Sequence, residues 1–302
     1  MPGRRVVVGL LTEEQEFQQM QAEDAREAGV RLDLEVEVVF AENNAIVQIQ
    51  QLFHALRAPE EARPAAIVVE AVAQAGMDRV SRNAVKGGIG WILLSGTMSY
   101  IDELRNEHPD VLVSSVMADD VEIGRIQGRQ ARVLLPGGGA FLCVQGPPET
   151  PSADGRTQGM TEVIRGTNVE MRRVLHGDWT EASGERAVTS WLRLKSSEAL
   201  RPDLVVCQND AMAVGALRAM RALRPEWEGV PFTGCDGLPA GGLQLVEKGE
   251  LVATVVKPTT TGPALELVAR GLEGKIGESR IVLAPRSWPS EDDLASRRGR
   301  SS

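Results

Sequence analysis

Glu13, Glu70, Ser95, Asn209, Asp236 and Lys257 fall at or just beyond the ends of runs that read as β-strands, Arg156 closes the stretch that leaves another such end at Gly146, Tyr100 stands near the same end as Ser95, and Trp179 near one more. Carboxylates, an amide and two cations beside aromatic rings suit polyhydroxyl compounds. A hydroxyl both donates and accepts, so Asp, Asn and Arg satisfy it with charge-assisted, bidentate hydrogen bonds, while an indole face covers the apolar C–H side. None of this needs a shifted pKa. Catalytic layouts are poorly served: the three histidines, His54, His108 and His176, do not follow a strand beside a Ser or Cys. Metal spacing of the HxxxH or CxxC kind is absent, so no catalytic residue, metal or cofactor is expected. Cys143, Cys207 and Cys235 lie in apolar runs and read as small buried hydrophobes. Cys235 precedes Asp236, and a neighbouring carboxylate opposes thiolate formation, which makes a thiol enzyme the weakest reading.

The elements that must position these residues alternate along the whole chain. Strand-like runs at 5–11, 34–40, 65–69, 91–94 and 111–116 are followed by a second series at 140–145, 169–175, 204–208, 230–235, 251–256 and 280–283. Helical stretches separate them, the signature of α/β layers around mostly parallel sheets. Ile46, Ile49, Phe53 and Leu56 follow a helical period, as do Met77, Val80 and Ala84, and both stripes read as core. The glycines at 137–139 and 87–90 lead into strands rather than out of them. They therefore read as helix ends and turns, not phosphate-binding loops. In an open parallel sheet ligands collect at the carboxyl ends of the strands, which is where the residues above fall.

At 302 residues the chain has room for two domains, each with its own core. Its formal charge of −9 repels polyanions, which sets nucleic acid aside as a partner. Apolar runs are too short to span a bilayer. The start, MPGRR followed at once by a strand, carries no export leader. Two compartments stay open: the cytoplasm, or the periplasm with a leader already trimmed.

Six segments in order carry a resemblance. They are Asp119-Asp120 to Gly124, Arg156-Thr157-Gln158-Gly159, Gly177-Asp178-Trp179, Val205 to Ala216 with Gln208-Asn209-Asp210 inside it, and Thr233-Gly234-Cys235-Asp236-Gly237, with Gly249 to Val255 following. Together they resemble the sugar-binding, ribose-like receptors of the type I periplasmic-binding-protein family, and the likeness covers nearly the whole chain. The resemblance implies two doubly wound α/β lobes, residues 1–116 with 258–283 and residues 117–257 with 284–302. It also implies a three-crossing hinge and a ligand cleft between the lobes that closes on a monosaccharide or polyol. The implied partners are an ABC permease or a membrane sensor, and the implied state is a monomer. Carried across, Arg156 clamps oxygens, Trp179 stacks, Asn209 and Asp236 bind hydroxyls, and Phe17 covers the ring. Lys257 stands where sugar binders commonly have Gln, Glu70 where they have Asn, and Ser95-Gly96 replaces a pair that ends in Arg, so Tyr100 or Thr97 is expected to take part of that role. The alternative within the fold is a ligand-sensing protein related to LacI-type regulators. Such a regulator needs a helix-turn-helix headpiece of roughly sixty residues ahead of the first strand.

Several residues have plainer readings. Thr12-Glu13-Glu14-Gln15 is a capping box, with Thr12 as the cap and Glu13 open to either role. Asp210 reads as the N-cap of the helix after it, leaving Asn209 for the ligand. Trp179 reads equally as stacking platform or packing residue, and Lys257 as ligand contact or surface charge. If Lys257 faces inward, an acidic or phosphorylated ligand becomes the expectation, since a desolvated ammonium needs a partner.

Overall fold

A computed structural model describes residues 4–96, 99–197, 200–275, 277 and 279–298. The chain forms two compact units, Met1–Ala118 with Thr259–Leu283, and Asp119–Pro258 with Ala284–Ser302. Each is an α/β layer structure.

The first unit is built on six parallel strands: β1 (Arg5–Leu10), β2 (Glu35–Phe40), β3 (Ala66–Glu70), β4 (Gly90–Leu94), β5 (Val113–Ala118) and β11 (Arg280–Leu283). They lie in the order β11-β5-β4-β3-β1-β2. Because side chains alternate across a strand, the central strands feed two cores. Val6, Val8, Val68, Ile92 and Leu94 pack with Ala22 and Ala25 of α1 (Glu16–Leu32) and Leu265 and Val268 of α10 (Thr261–Leu272). Val7, Ile67, Val69, Trp91 and Leu93 pack with residues of α2 (Ala45–Leu56), α3 (Met77–Lys86) and α4 (Tyr100–Glu107) on the other face. The expected stripe Met77, Val80, Ala84 is fully buried.

The expected stripe on α2 packs against this core through the half-buried Ile49, Phe53 and Leu56, but not through Ile46. Ile46 is 68% exposed, and the buried positions are Gln48, Leu52 and Ala55. The cause is a polar residue in a core place: Gln48 Nε2 donates to the Glu70 carbonyl at 2.8 Å, and its Oε1 accepts from Val72 N–H at 2.9 Å. These bonds satisfy the backbone where β3 runs out of partners and turn α2 to face it. Thr12 is likewise not the cap of α1, which begins after Gln15 with no side-chain cap; the Thr12 hydroxyl instead accepts from Glu14 N–H in the preceding turn.

In the second unit β6 (Gly139–Gln145), β7 (Val169–His176), β8 (Leu204–Cys207) and β9 (Phe232–Thr233) are parallel in the order β7-β6-β8-β9. Helices α5 (Asp120–Leu134) and α6 (Pro151–Ile164) cover one face over Phe141, Cys143, Leu204 and Val206. Helices α7 (Glu181–Leu192) and α8 (Asp210–Leu223) cover the other over Leu142, Val144, Val205 and Cys207. Beyond β9, bridges at Thr233 to Ala253 and Asp236 to Val256 lead to β10 (Thr254–Val256), which pairs antiparallel with β12 (Arg286–Trp288). The expected strands at 230–235 and 251–256 are therefore shorter than their apolar runs, because the pairing around Gly234 is irregular. The strand β12 was not expected at all. A short α9 (Gln244–Glu247) precedes β10, and α11 (Glu291–Arg298) follows β12.

Both sheets reverse strand order once, between β1 and β3 and between β6 and β8. At such a reversal the neighbouring connections leave in opposite directions and open a crevice at the carboxyl ends.

Candidate functional site

In the second unit the ends of β6 and β8 are tied together by Gln208, whose Oε1 accepts from Gly146 N–H at 3.1 Å. Its Nε2 donates to the Ala153 carbonyl and the Thr157 hydroxyl of α6 at 3.1 and 2.9 Å. These bonds fix the helix that carries Arg156, which is 2% exposed. Arg156 Nε donates to Asp120 Oδ1 at 2.9 Å and Nη1 donates to the Gln208 carbonyl. Its guanidinium carbon lies 5.3 Å from the centroid of the Trp179 ring, within cation–π range. Asp120 Oδ2 also accepts from the Ser152 hydroxyl at 2.9 Å.

The helices bearing this ion pair meet through glycines. A Cβ on Gly124 of α5 would overlap the Arg156 carbonyl, and one on Gly159 of α6 would overlap the Val121 carbonyl. Only at that close approach does Arg156 reach Asp120 across the helix pair. Burial alone would raise the Asp120 pKa, but Arg156, Lys257 and the hydrogen bonds outweigh it and hold the carboxyl below its ordinary value. Burial likewise opposes the Arg156 charge, and the carboxylates Asp120 and Asp236 act against that penalty to keep the guanidinium charged. Lys257 therefore acts on the same group of charges, and two cations stand against two carboxylates, Asp120 and Asp236.

Trp179 has a left-handed backbone, φ 71°, and its indole packs against Gly146, where a Cβ would overlap the ring carbons Cη2 and Cζ2. Asn209 Nδ2 donates to the Trp179 carbonyl at 2.9 Å, while its Oδ1 accepts from Met212 N–H at 2.9 Å. Asn209 is thus the N-cap of α8, a correction to the expectation that Asp210 caps and Asn209 is left over. Asp236 also has positive φ, 111°, in a turn with Gly237 at φ 62°. Left-handed backbone on a non-glycine residue costs of order 1–3 kcal/mol and persists where the surroundings impose it.

The first unit gathers Glu70, Ser95 and Gln18. Glu70 is 8% exposed; its Oε1 accepts from the Ser95 hydroxyl at 3.0 Å and its Oε2 from Gln18 Nε2 at 2.9 Å. Ser95 takes φ 65°, and Gln18 also accepts from Leu11 N–H, so the ends of β1, β3 and β4 meet at one carboxylate. Phe17 is buried beside Gln18 in the first turn of α1, and Glu13 is exposed in the turn before it. Thr97 lies outside the described residues.

Tyr100 is not part of this group. It packs in the core under α3 and α4 with Met77, Val80 and Trp91, and its hydroxyl is buried without a hydrogen bond of ordinary length among the described residues. The reason is helical phase: Tyr100, Ile101 and Leu104 make the buried face of α4. Burial pushes the phenol up to about 12. Since the chain holds one tyrosine, ultraviolet titration of tyrosinate should show a single folded-state transition near there, above the ordinary 10. A phenol raised by folding contributes stability that is lost as pH climbs through that interval. Tyr100→Phe should change stability by less than about 1 kcal/mol, because the lost hydroxyl has no ordinary bond to surrender.

Asp120, Gln208 and Gly146 were not expected as site residues. The segment from Asp120 to Gly124 was visible as a motif, yet nothing local in it names Arg156 as its partner. Cys235 is buried, and burial pushes its thiol well above the ordinary value, with Asp236 and Asp210 adding to the effect and Arg156 and Lys257 opposing it. This does not favour a thiolate nucleophile.

The profile of a family described as the periplasmic binding protein domain matches residues 6–263. The D-galactose/methyl-galactoside binding periplasmic protein of Haemophilus influenzae is 34% identical over 166 residues, covering 51% of this chain and 48% of the relative, so the match spans about half of that protein. A putative rhizopine-binding protein of Rhizobium meliloti is 24% identical over 241 residues, 78% of this chain and 74% of the relative. Among solved structures, the periplasmic component of the arabinose ABC transporter from Shewanella sp. ANA-3, bound to arabinofuranose, superposes with a TM-score of 0.81 at 20% identity, covering 98% of this chain and 96% of that one. At that identity the likeness concerns the fold.

Proposed function

We propose, from the premise that this chain belongs to the periplasmic binding protein family, that it is the substrate-binding component of an ABC-type import system for a neutral sugar or polyol. The observation that carries the reading is the cluster at the ends of β6 and β8, with Arg156 clamped by Asp120, Trp179 packed against Gly146, and Asp236 and Lys257 beside them. It pairs a rigid aromatic face with charge-assisted hydrogen-bonding groups, as hydroxyl recognition requires. The relatives, a galactoside binder and a putative rhizopine binder, support the ligand class.

The charge balance favours a neutral ligand over an acidic one. Lys257 and Arg156 already face Asp120 and Asp236, so an incoming carboxylate or phosphate would have to displace an existing partner. In the first unit Glu70, with both oxygens held by neutral donors, is proposed as a further hydroxyl acceptor. The proposed compartment is the periplasm and the proposed partner a membrane permease; no helix among the described residues is long and apolar enough to cross a membrane.

A thermal-shift screen of pentoses, hexoses, inositols, sugar acids and sugar phosphates tests the reading. A ligand at one hundred times its dissociation constant adds about 2.7 kcal/mol of stability. A neutral hit should weaken by about a hundredfold, still measurably, in Asp236→Ala and Trp179→Ala and persist within about tenfold in Lys257→Gln. A panel in which only acidic compounds stabilise, and in which Lys257→Gln abolishes the shift, would overturn the neutral-ligand reading.

A further inference from the structure

We infer that Asp210, which is 5% exposed, is the positioning residue that holds Asp236 in its unusual backbone conformation for the ligand. This rests on the reading above that Asp236 contacts the ligand. Asp210 is the first residue of α8, but its carboxylate turns away from the helix toward the turn at the end of the neighbouring strand. Oδ2 accepts from Gly237 N–H at 2.7 Å, and Oδ1 accepts from the Thr254 hydroxyl of β10 at 2.7 Å. Its own N–H donates to the Cys235 carbonyl at 2.6 Å. One residue therefore bonds the backbone on both sides of Asp236 and the strand beside it.

Space around the carboxylate is shaped for this task. A Cβ on Gly234 would overlap Oδ1, and a Cβ on Gly242 would overlap Oδ2. The remaining backbone bonds of the turn, Asp236 N–H to the Val255 carbonyl and Lys257 N–H to the Asp236 carbonyl, join it to β10 at 3.0 and 3.1 Å. They leave the Gly237 amide to Asp210. Without that acceptor, a buried donor next to a residue at φ 111° has nothing to hold it, and the chain regains access to more relaxed conformations. The carboxylate of Asp236 would then lose its fixed direction.

The test has two arms. In the ligand-free protein, amide hydrogen exchange should show Gly237 protected in the wild type and selectively deprotected in Asp210→Ala, with amides in the interiors of β6 and α6 unchanged. Asp210→Asn should restore most of the protection, since its amide oxygen still accepts from Gly237 while its NH₂ donates to a reoriented Thr254 hydroxyl. In the second arm, D-galactose and myo-inositol binding is measured by calorimetry. Asp210→Ala should weaken binding by at least about tenfold in the wild-type background, but by less than about twofold in an Asp236→Ala background.

Equal losses in both backgrounds, or uniform deprotection throughout the second unit, would overturn the proposal in favour of a general packing role. If neither sugar binds the wild type, the ligand reading fails for these sugars, while the exchange arm still decides whether Asp210 holds the turn. Should Asp210→Ala fail to fold, Gly242→Ala offers a second route by pushing Oδ2 off the Gly237 amide. It should reproduce the local deprotection with the Asp210 side chain intact, and unchanged protection in that variant would overturn the proposal.

Discussion

Replacing Arg156 with alanine is expected to cost about 3–5 kcal/mol of stability in the second unit, along with all measurable sugar affinity. The size of the loss comes from what is left behind. The side chain of Asp120 is 17% exposed and that of Arg156 3%, so removing the guanidinium strands a largely desolvated carboxylate and leaves the Gln208 carbonyl without its donor. The pH dependence identifies the mechanism. Asp120 is held below its ordinary value in the wild type, so the ion pair contributes fully above about pH 4 and is lost as pH falls through the depressed folded-state value. The gap in unfolding free energy between wild type and Arg156→Ala should therefore be widest near neutral pH and narrow in acid. Urea titrations at several pH values would measure it, and a gap that stays constant down to pH 3 would assign the cost to lost packing. Adding Asp120→Asn to Arg156→Ala should recover part of the stability. Arg156→Lys should recover little, because an ammonium has no planar fork to reach Asp120 and the Gln208 carbonyl together.

Gly159→Val should be comparably damaging, with no change of charge. At this position any side chain meets backbone, namely the Val121 carbonyl and Arg125 N, so no rotamer change can relieve the overlap. The helices must separate or tilt, and Arg156 then moves off Asp120. Overpacking of well-packed sites costs about 1–3 kcal/mol and occasionally more; contact with rigid backbone places this substitution at or above the top of that range. Gly137→Ala is the control, since its Cβ would enter open space. Equal midpoints for the two variants in chemical denaturation would show that α5 and α6 have slack. The same construction recurs on the opposite face of the sheet, where Gly184 and Gly215 bring α7 and α8 into backbone contact.

What was legible in the sequence follows from the range over which each cause acts. Strands and their two faces are set by alternation within a few residues, so β1, β3, β4 and β6 to β8 could be read within a residue or two of their ends. Of the α2 stripe, Ile49, Phe53 and Leu56 pack on the core and Ile46 does not, because apolarity alone cannot anticipate Gln48, which is buried for its amide and closes hydrogen bonds at the end of β3. Asn209 and Asp210 exchanged roles for a related reason. Both are good N-caps, and what decides between them is a turn some 27 residues later whose Gly237 amide needs an acceptor. Asp120 escaped notice because its partner is 36 residues away and the contact depends on two glycines on different helices. The resemblance supplied Arg156, Trp179 and Asp236, and the structure groups them with Asp120 and Gln208. Position alone suggested Tyr100, near the end of β4, and the phase of α4 turns its ring into the core.

All three buried cysteines lie in the second unit, and the chain's one tyrosine lies in the first. Unlabelled protein thus carries a separate reporter for each half. Thiols at Cys143, Cys207 and Cys235 should resist alkylation until the second unit opens, and their modification rate then becomes a clock for that opening. Second-derivative ultraviolet absorbance, which separates tyrosine from tryptophan bands, follows the burial of the Tyr100 ring in the first. Monitoring both through one urea titration would show whether the two units melt as a single cooperative block or in sequence, and adding a sugar would show which reporter it protects.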